Sequence, residues 1–174
     1  LKYKFLSQSS DFAKKPVTMV LFSNIALNTL KSNFANYPTS ARLSYTNQIL
    51  VSSKLNDIIS VQFSPTWVHW NMVQNDNQNN DIFLIGSMLS LSFTKSTSIN
   101  FEYFNRINTN NFDDQNYQNS FSLGLDIETG GHVFQLHITN SMNLNEASFL
   151  TRSEGDWKKG NINFGFNISR EFSL

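Results

Sequence analysis

The residues of this chain that could do chemistry are concentrated near position 130. Asp126, Glu128, Gln135 and His137 fall at alternate positions of two flanking segments, and alternate positions of an extended chain share one face. Carboxylates and an imidazole on one face are the groups of an acid/base centre or a metal site, but either use needs about three of them to converge. Hydrogen-bonded polarity on a wet surface is the simpler interpretation. We therefore expect no catalytic residue and no metal ligand here.

A serine hydrolase is the enzyme that these residues would most readily build. His137 would act as the base and Ser122 or Ser120 as the nucleophile. Such a centre also needs a group that orients the histidine and a site for the oxyanion. The chain has no G-x-S-x-G motif. The hydrolase is therefore the weakest alternative, and we expect the protein not to be an enzyme.

Composition excludes several other classes. The 174 residues include 13 basic and 13 acidic side chains and no cysteine. Zero net charge argues against a nucleic-acid partner, which would need a basic face. The lack of cysteine removes disulfides, thiolate zinc sites and cysteine nucleophiles. Because no Walker or dinucleotide glycine loop is present either, we expect no cofactor. The length suits one domain over residues 1–174.

The elements that position the polar groups are predicted to be β-strands. Apolar and polar residues alternate in nine segments, some strictly and some loosely, and no segment predicts a substantial amphipathic helix. On the clearest strands the apolar face carries Leu123, Leu125, Phe134, Leu136, Phe164 and Phe166. The polar face carries Glu102, Asp126, Glu128, Gln135, His137, Asn163 and Asn167.

The pair Gly130-Gly131 predicts a two-residue hairpin turn, because glycine adopts the positive φ of primed turns without strain. Thr129 would then pair with His132, and every other pair must sum to the same total. This register places apolar residues opposite apolar ones and polar residues opposite polar ones. The predicted pairs are Ile127 with Phe134, Leu125 with Leu136, Leu123 with Ile138, Asp126 with Gln135, Ser122 with Thr139 and Gly124 with His137.

The overall pattern is typical of a transmembrane β-barrel. The chain has 16 phenylalanines and a negative mean hydropathy, with no apolar run near the roughly 18 to 20 residues of a membrane helix. In a membrane barrel the apolar faces contact lipid and the polar faces line the lumen. A soluble ligand-binding barrel of the lipocalin type is the rival fold, and it would have the opposite polarity.

The links between the predicted strands alternate in length. Long links at about 29–41, 72–80, 108–118 and 142–159 alternate with short ones near 56–57, 95–96 and 130–131. Outer-membrane barrels combine long extracellular loops with tight periplasmic turns, so the C-terminus is predicted to be periplasmic. Such barrels normally have an even number of strands. Nine strands therefore predict that this chain is the C-terminal part of a longer barrel.

Two further features concern aromatic residues and proline. Trp67, Trp70 and Trp157 fall near strand ends, where an interfacial aromatic girdle is expected.

Pro65 interrupts a predicted strand, and the alternation changes phase there, with Val68 and Trp70 replacing Trp67 on the apolar face. We interpret this change as a β-bulge.

Several motifs resemble a family of outer-membrane β-barrels from Bacteroidota that has no assigned function. They are "NDIF" at 80–83, "NSFSLGLDIETGGHVFQLHITNS" at 119–141 and "GDWKKGNINFGFNISREF" at 155–172. Members of that family are longer at the N-terminus, which agrees with missing strands. The resemblance implies an outer-membrane location and a barrel fold, and it supplies no substrate.

Three functions remain open on these grounds. The first is a structural or docking component of a cell-envelope complex, whose partners are the lipid bilayer and other outer-membrane or envelope proteins. The second is a channel or uptake pore for small solutes. The third is the hydrolase. We favour the first, with a narrow, crowded lumen, because nine strands plus a few more fall short of the roughly 16 strands of wide porins.

Overall fold

The computed structural model describes residues 1–9, 14–30, 38–73, 75–109 and 115–170. Nine strands form one sheet in chain order, each antiparallel to the next. This order confirms the all-β, up-and-down prediction. The strands are β1 (Lys2–Leu6), β2 (Thr18–Leu27), β3 (Leu43–Lys54), β4 (Ile59–Trp70), β5 (Asp81–Thr94), β6 (Thr97–Arg106), β7 (Ser120–Thr129), β8 (His132–Thr139) and β9 (Asn163–Arg170).

The hairpin between β7 and β8 has the predicted turn and register. Gly130 and Gly131 both have positive φ, at 55° and 92°. Thr129 pairs with His132, and all the other predicted pairs are present. Turn chemistry and the two-residue period of the side chains act over a few residues only, which is why both could be read from the sequence.

The predicted bulge at Pro65 is wrong. Pro65 pairs with Ile85, and the β4–β5 register continues through it without a shift. The apolar side chains after Pro65 do not change face. Trp67 remains on the same side as Pro65, whereas Val68 is fully buried on the opposite side. The phase change in the sequence therefore reflects a second apolar surface and not an irregular backbone.

The sheet is not closed in the residues that the structure describes. There β1 pairs with β2 alone and β9 with β8 alone. The upstream strands expected from the odd strand count remain a prediction. Phe172, which the sequence assigns to the apolar side of the last strand, lies outside the described residues.

A short helix, Glu146–Thr151, packs on one face of the sheet, and we call it the plug helix. It contacts β3, β4 and β7, which are not all neighbours, so the sheet curves around it. We define the face that it contacts as the inner face and the opposite face as the outer face. The buried core lies here and comprises Val68, Ile82, Leu84, Phe104, Ala147 and Leu150. In the described parts of the chain, no helix has the length and apolarity to span a membrane.

Candidate functional site

The plug helix is built from local signals in its own sequence. Asn145 is its N-cap and accepts a hydrogen bond from the Ser148 amide at 2.9 Å. Glu146 lies in the first turn, where a negative charge is favoured by the helix dipole. At the other end the Thr151 hydroxyl donates to the carbonyl of Ala147 at 2.6 Å. These bonds hold a helix that is too short to be stable without tertiary packing.

Tertiary packing fixes the plug helix against the inner face. Ala147 and Leu150 are each 2% exposed. The Phe149 ring meets the Phe104 ring edge to face, with centroids 6.1 Å apart. The Trp70 indole N–H donates to the Thr151 hydroxyl at 3.2 Å. Apolar contacts, an aromatic pair and a hydrogen bond together close this end of the inner face.

Gly86 makes room for the aromatic pair. A Cβ placed at Gly86 would come within 2.3 Å of the Phe104 ring. The ring therefore lies directly over the backbone of β5, and only glycine permits this close approach. Beyond the helix, the Arg152 guanidinium lies 3.6 Å from the centroid of the Trp70 ring, a cation–π contact that covers the indole.

The plug helix was not predicted from the sequence, which places residues 142–159 in a long link between strands. The sequence also predicted a polar inner face throughout, whereas Ile82, Leu84 and Phe104 are buried there. The loose alternation of β5 was the available signal, because a strand with apolar residues on both faces loses the two-residue period. A second signal was Asn145 followed by Glu146 and spaced apolar residues, a typical helix start.

The same link then crosses the rim of the sheet to the outer face. Asn140 is 2% exposed, and its side-chain amide donates to the carbonyls of Asn119 and Gly155. Its side-chain oxygen accepts from the Phe121 amide at 2.9 Å. Further on, the Trp157 ring packs on Phe121 with centroids 5.1 Å apart. The link is therefore anchored on both sides of the sheet.

A polar cavity of about 300 Å³ lies on the inner face next to the plug helix. It extends from β5 to β9, and Phe149 contributes to its wall. The lining residues combine carboxyl, amide, hydroxyl and imidazole groups with the apolar side chains of Met88 and Phe149. They are Met88, Asn100, Glu102, Ser122, Gly124, Asp126, Gln135, His137, Phe149 and Asn167, together with Leu136, whose side chain lies on the outer face.

A chain of hydrogen bonds crosses three strands on one wall of the cavity. The Asn167 amide donates to the Gln135 side-chain oxygen at 3.0 Å. The Gln135 amide donates in turn to the Asp126 carboxylate at 3.2 Å. The wall is therefore rigid on the side of β7 to β9, and one oxygen of Asp126 is satisfied by a protein donor.

His137 lies between two glycines in the sheet. It pairs with Gly124 on β7 and with Gly165 on β9. A Cβ at Gly165 would come within 2.3 Å of the His137 Nε2 atom, whereas one at Gly124 would make ordinary contacts of 3.7 Å or more. The imidazole therefore extends over Gly165. The register predicted from the sequence places Gly124 opposite His137, and because glycine has no side chain this left open space beside the imidazole. In the structure the ring instead lies over Gly165, its neighbour on the other side.

The structure brings five of the seven predicted polar-face residues into this cavity. They are Glu102, Asp126, Gln135, His137 and Asn167. Glu128 is exposed beside the β7–β8 turn, and Asn163 borders a different depression at the rim. The apolar set lies on the outer face, where Phe164 and Phe166 are 68% and 70% exposed. Leu123, Leu125, Phe134 and Leu136 share that face.

The residues of the hydrolase hypothesis have other hydrogen-bond partners or are buried. The Ser122 hydroxyl donates to the Thr139 hydroxyl at 2.9 Å. Ser120 is fully buried. Within the described residues no hydrogen bond joins either serine to His137, and no three acidic, histidine or cysteine side chains form a metal-binding group.

Aromatic residues at the long-link end divide between the two faces. Trp67 donates its indole N–H to Asp81 at 2.8 Å, and the same carboxylate oxygen lies 2.8 Å from the His69 Nδ1 atom. The Tyr45 ring packs near His69. This outer-face group is typical of an interfacial girdle. Trp70, which was predicted to share the girdle, instead faces inward. It contacts the link between β8 and β9 that carries the plug helix, which we call the plug link.

The short-turn end carries an exposed ion pair. The Lys54 ammonium lies 2.8 Å from the Asp57 carboxylate in the β3–β4 turn. The hydrogen bond from Lys54 holds the pKa of Asp57 below its usual value. Because both groups are exposed to solvent, the pair contributes little to stability.

Comparison with known families agrees with this architecture. The family model described as a membrane bound beta barrel domain (DUF5777) matches residues 1–172. The chain belongs to this family. No curated protein and no solved structure matches this chain. Membership confirms the prediction, made from the motifs, of a membrane β-barrel family of unknown function. The Bacteroidota origin stays a prediction.

Proposed function

We propose that this membrane β-barrel domain is a non-conducting structural or docking component of a cell-envelope complex. The observation that supports the proposal best is the plug helix, whose residues Ala147 and Leu150 are buried against the inner face. A lumen closed at one end by the chain's own apolar residues does not conduct a polar solute. Function is then left to the surfaces that the barrel exposes.

The exposed surfaces suit contact with other membrane proteins. Large apolar side chains such as Phe164 and Phe166 project from the outer face, which we propose contacts lipid. Because lipid already solvates such groups, association in the membrane depends on close packing and a few hydrogen bonds. The motif resemblance supports a Bacteroidota outer membrane as the location. The short turns and the C-terminus would then be periplasmic.

A small-solute channel is the second candidate, and the polar cavity favours it. Its amide and carboxyl groups would suit a hydrated path along β6 to β9 if the plug link could leave the inner face. The anchors of that link on both faces, at Leu150 and at Trp157, oppose such a movement.

Conductance separates the two candidates. We expect the purified protein to give no steady single-channel current in planar bilayers. Replacing residues 143–153 by a glycine-serine linker should create a current, because this change removes the plug helix that closes one end of the lumen. A control variant, Leu144→Ser, changes a fully exposed residue of the same link and should stay silent. A large, steady current from the unaltered protein would overturn the proposal.

Partners can be identified directly. Gentle detergent extraction of the native membrane, affinity capture and mass spectrometry should recover a defined set of envelope proteins with the barrel. If the barrel elutes alone and vesicles containing it take up a defined solute, the docking hypothesis fails and the channel hypothesis replaces it.

A further inference from the structure

The charge of the polar cavity is one-sided. Glu102 and Asp126 contribute two carboxyl groups, and none of the described lining residues is a lysine or an arginine. When both carboxyl groups are ionised, the cavity has a net negative charge that no lining residue offsets.

Glu102 is the cavity carboxyl group to which no described residue donates a hydrogen bond. It lies on the inner face of β6, where it pairs with Ser122 of β7 and Met88 of β5. The Ser122 hydroxyl donates elsewhere, to Thr139. No described residue donates a hydrogen bond to the Glu102 carboxylate, although the side chain is half-buried. A buried carboxylate without a donor is unfavourable, and a ligand that brings a donor would remove that cost.

Asp126 provides a second, partly satisfied carboxylate at the far end of the cavity. It lies four residues along β7 from Ser122, the partner of Glu102, a displacement of about 13 Å at ~3.3 Å per residue. One oxygen accepts from Gln135, and the remaining acceptor capacity of the carboxylate is open to a ligand. The apolar side chains of Met88 and Phe149 also line this cavity.

We propose that this cavity binds a small linear organic cation with ammonium or guanidinium groups at its ends. One cationic end would donate hydrogen bonds to Glu102 and the other to Asp126, while the methylene chain contacts the apolar lining. Charge-assisted bonds of this kind are the stronger class of hydrogen bond. The binding site does not rest on the docking role, because a ligand can occupy the cavity of a non-conducting barrel.

The cavity volume limits the ligand. About 300 Å³ corresponds to roughly ten water molecules at ~30 Å³ each. A linear aliphatic polyamine of similar heavy-atom number fits this space, whereas a peptide or an oligosaccharide does not. Spermidine has this size and shape and is a suitable probe, with octanediol as a neutral linear analogue and suberate as an anionic one.

The test is calorimetric titration of the purified protein in non-ionic detergent. We expect spermidine to bind and octanediol and suberate not to bind. Glu102→Gln keeps the shape of the side chain and removes its charge, so spermidine affinity should fall by about tenfold or more, the effect of losing a hydrogen bond to a charged group. The matched control is Glu128→Gln, an equal charge change on the inner face of β7 at an exposed residue outside the cavity. Because Glu128 donates nothing to and accepts nothing from the ligand in this proposal, spermidine affinity should fall clearly less than in Glu102→Gln.

Stability distinguishes lost binding from lost folding. Because Glu102→Gln removes a carboxyl group to which no described residue donates, the free energy of unfolding should be unchanged or higher. Equal binding of octanediol and spermidine, equal weakening by the two variants, or no measurable binding of spermidine would each overturn the proposal. None of these results bears on conductance or on captured partners, which test the docking role separately.

Discussion

The inner face of the sheet has two regions that differ sharply although the same strands form them. At the long-link end, Phe104 of β6 and Leu84 of β5 are buried under the plug helix. Glu102, two residues before Phe104 on β6, lines the open polar cavity. One step of the two-residue period thus separates a close-packed region from a cavity lined by carboxyl and amide groups.

The difference shows that the plug is specific to one end of the barrel. Where the helix packs, the inner face supplies apolar side chains and a glycine that admits an aromatic ring. Where the helix ends, the inner face supplies hydrogen-bonding groups and a second glycine beside His137. Stability is therefore concentrated at the long-link end, and the capacity to bind a ligand at the other.

The largest expected effect concerns the centre of the plugged region. Leu150→Ala should lower the free energy of unfolding by about 2–5 kcal/mol, since it opens a void among buried side chains. Leu150 is 2% exposed, whereas Leu144 in the same link is 100% exposed. Leu144→Ala is the matched control and should change stability by less than about 0.5 kcal/mol. Urea titration followed by tryptophan fluorescence measures both, and equal effects would show that the helix is not anchored.

A pair of glycine substitutions compares the two regions directly. A Cβ at Gly86 or at Gly165 comes within the same 2.3 Å of a ring, that of Phe104 or of His137. Phe104 is held by Phe149, so Gly86→Ala should destabilise by about 1–3 kcal/mol through overpacking. His137 can turn into the cavity, so Gly165→Ala should have an effect below about 1 kcal/mol.

Gly124→Ala completes this comparison as the control. Its Cβ would make only ordinary contacts of 3.7 Å or more, and its effect should be the smallest of the three. The three free energies of unfolding can be measured in one urea series. A loss at Gly165 as large as that at Gly86 would show that the cavity end is packed as tightly as the plugged end.

A further small effect concerns the cation–π contact at the edge of the plug helix. Arg152→Gln removes the charge that lies 3.6 Å from the Trp70 ring and should lower the free energy of unfolding by about 0.5–1 kcal/mol. Trp70 fluorescence should change at the same time, because its indole loses the covering guanidinium. A loss above about 2 kcal/mol would mean that other contacts of Arg152 dominate.

The sequence by itself determined the strands, their order and much of their register. The β7–β8 pairs followed from Gly130-Gly131 and from the alternation of Leu123 and Leu125 with polar neighbours. Such signals are local, since turn conformation and side-chain direction depend on adjacent residues. The same locality allowed five cavity residues to be assigned to one face before the structure was known.

Only the tertiary structure decided what meets that face. The plug helix has six residues, too few to give a strong periodic signal, and it is stable only because β3, β4 and β7 receive it. The alternation at Val68 and Trp70 therefore predicted a bulge, whereas in the structure both side chains lie on the inner face and pack in or against the core around the plug helix. Glu102 and Asp126 likewise come from different hairpins. The pairing of β6 with β7 places both on the inner face, and Phe149 of the plug helix adds a wall to their cavity, a contact that depends on packing between distant parts of the chain and not on any local pattern.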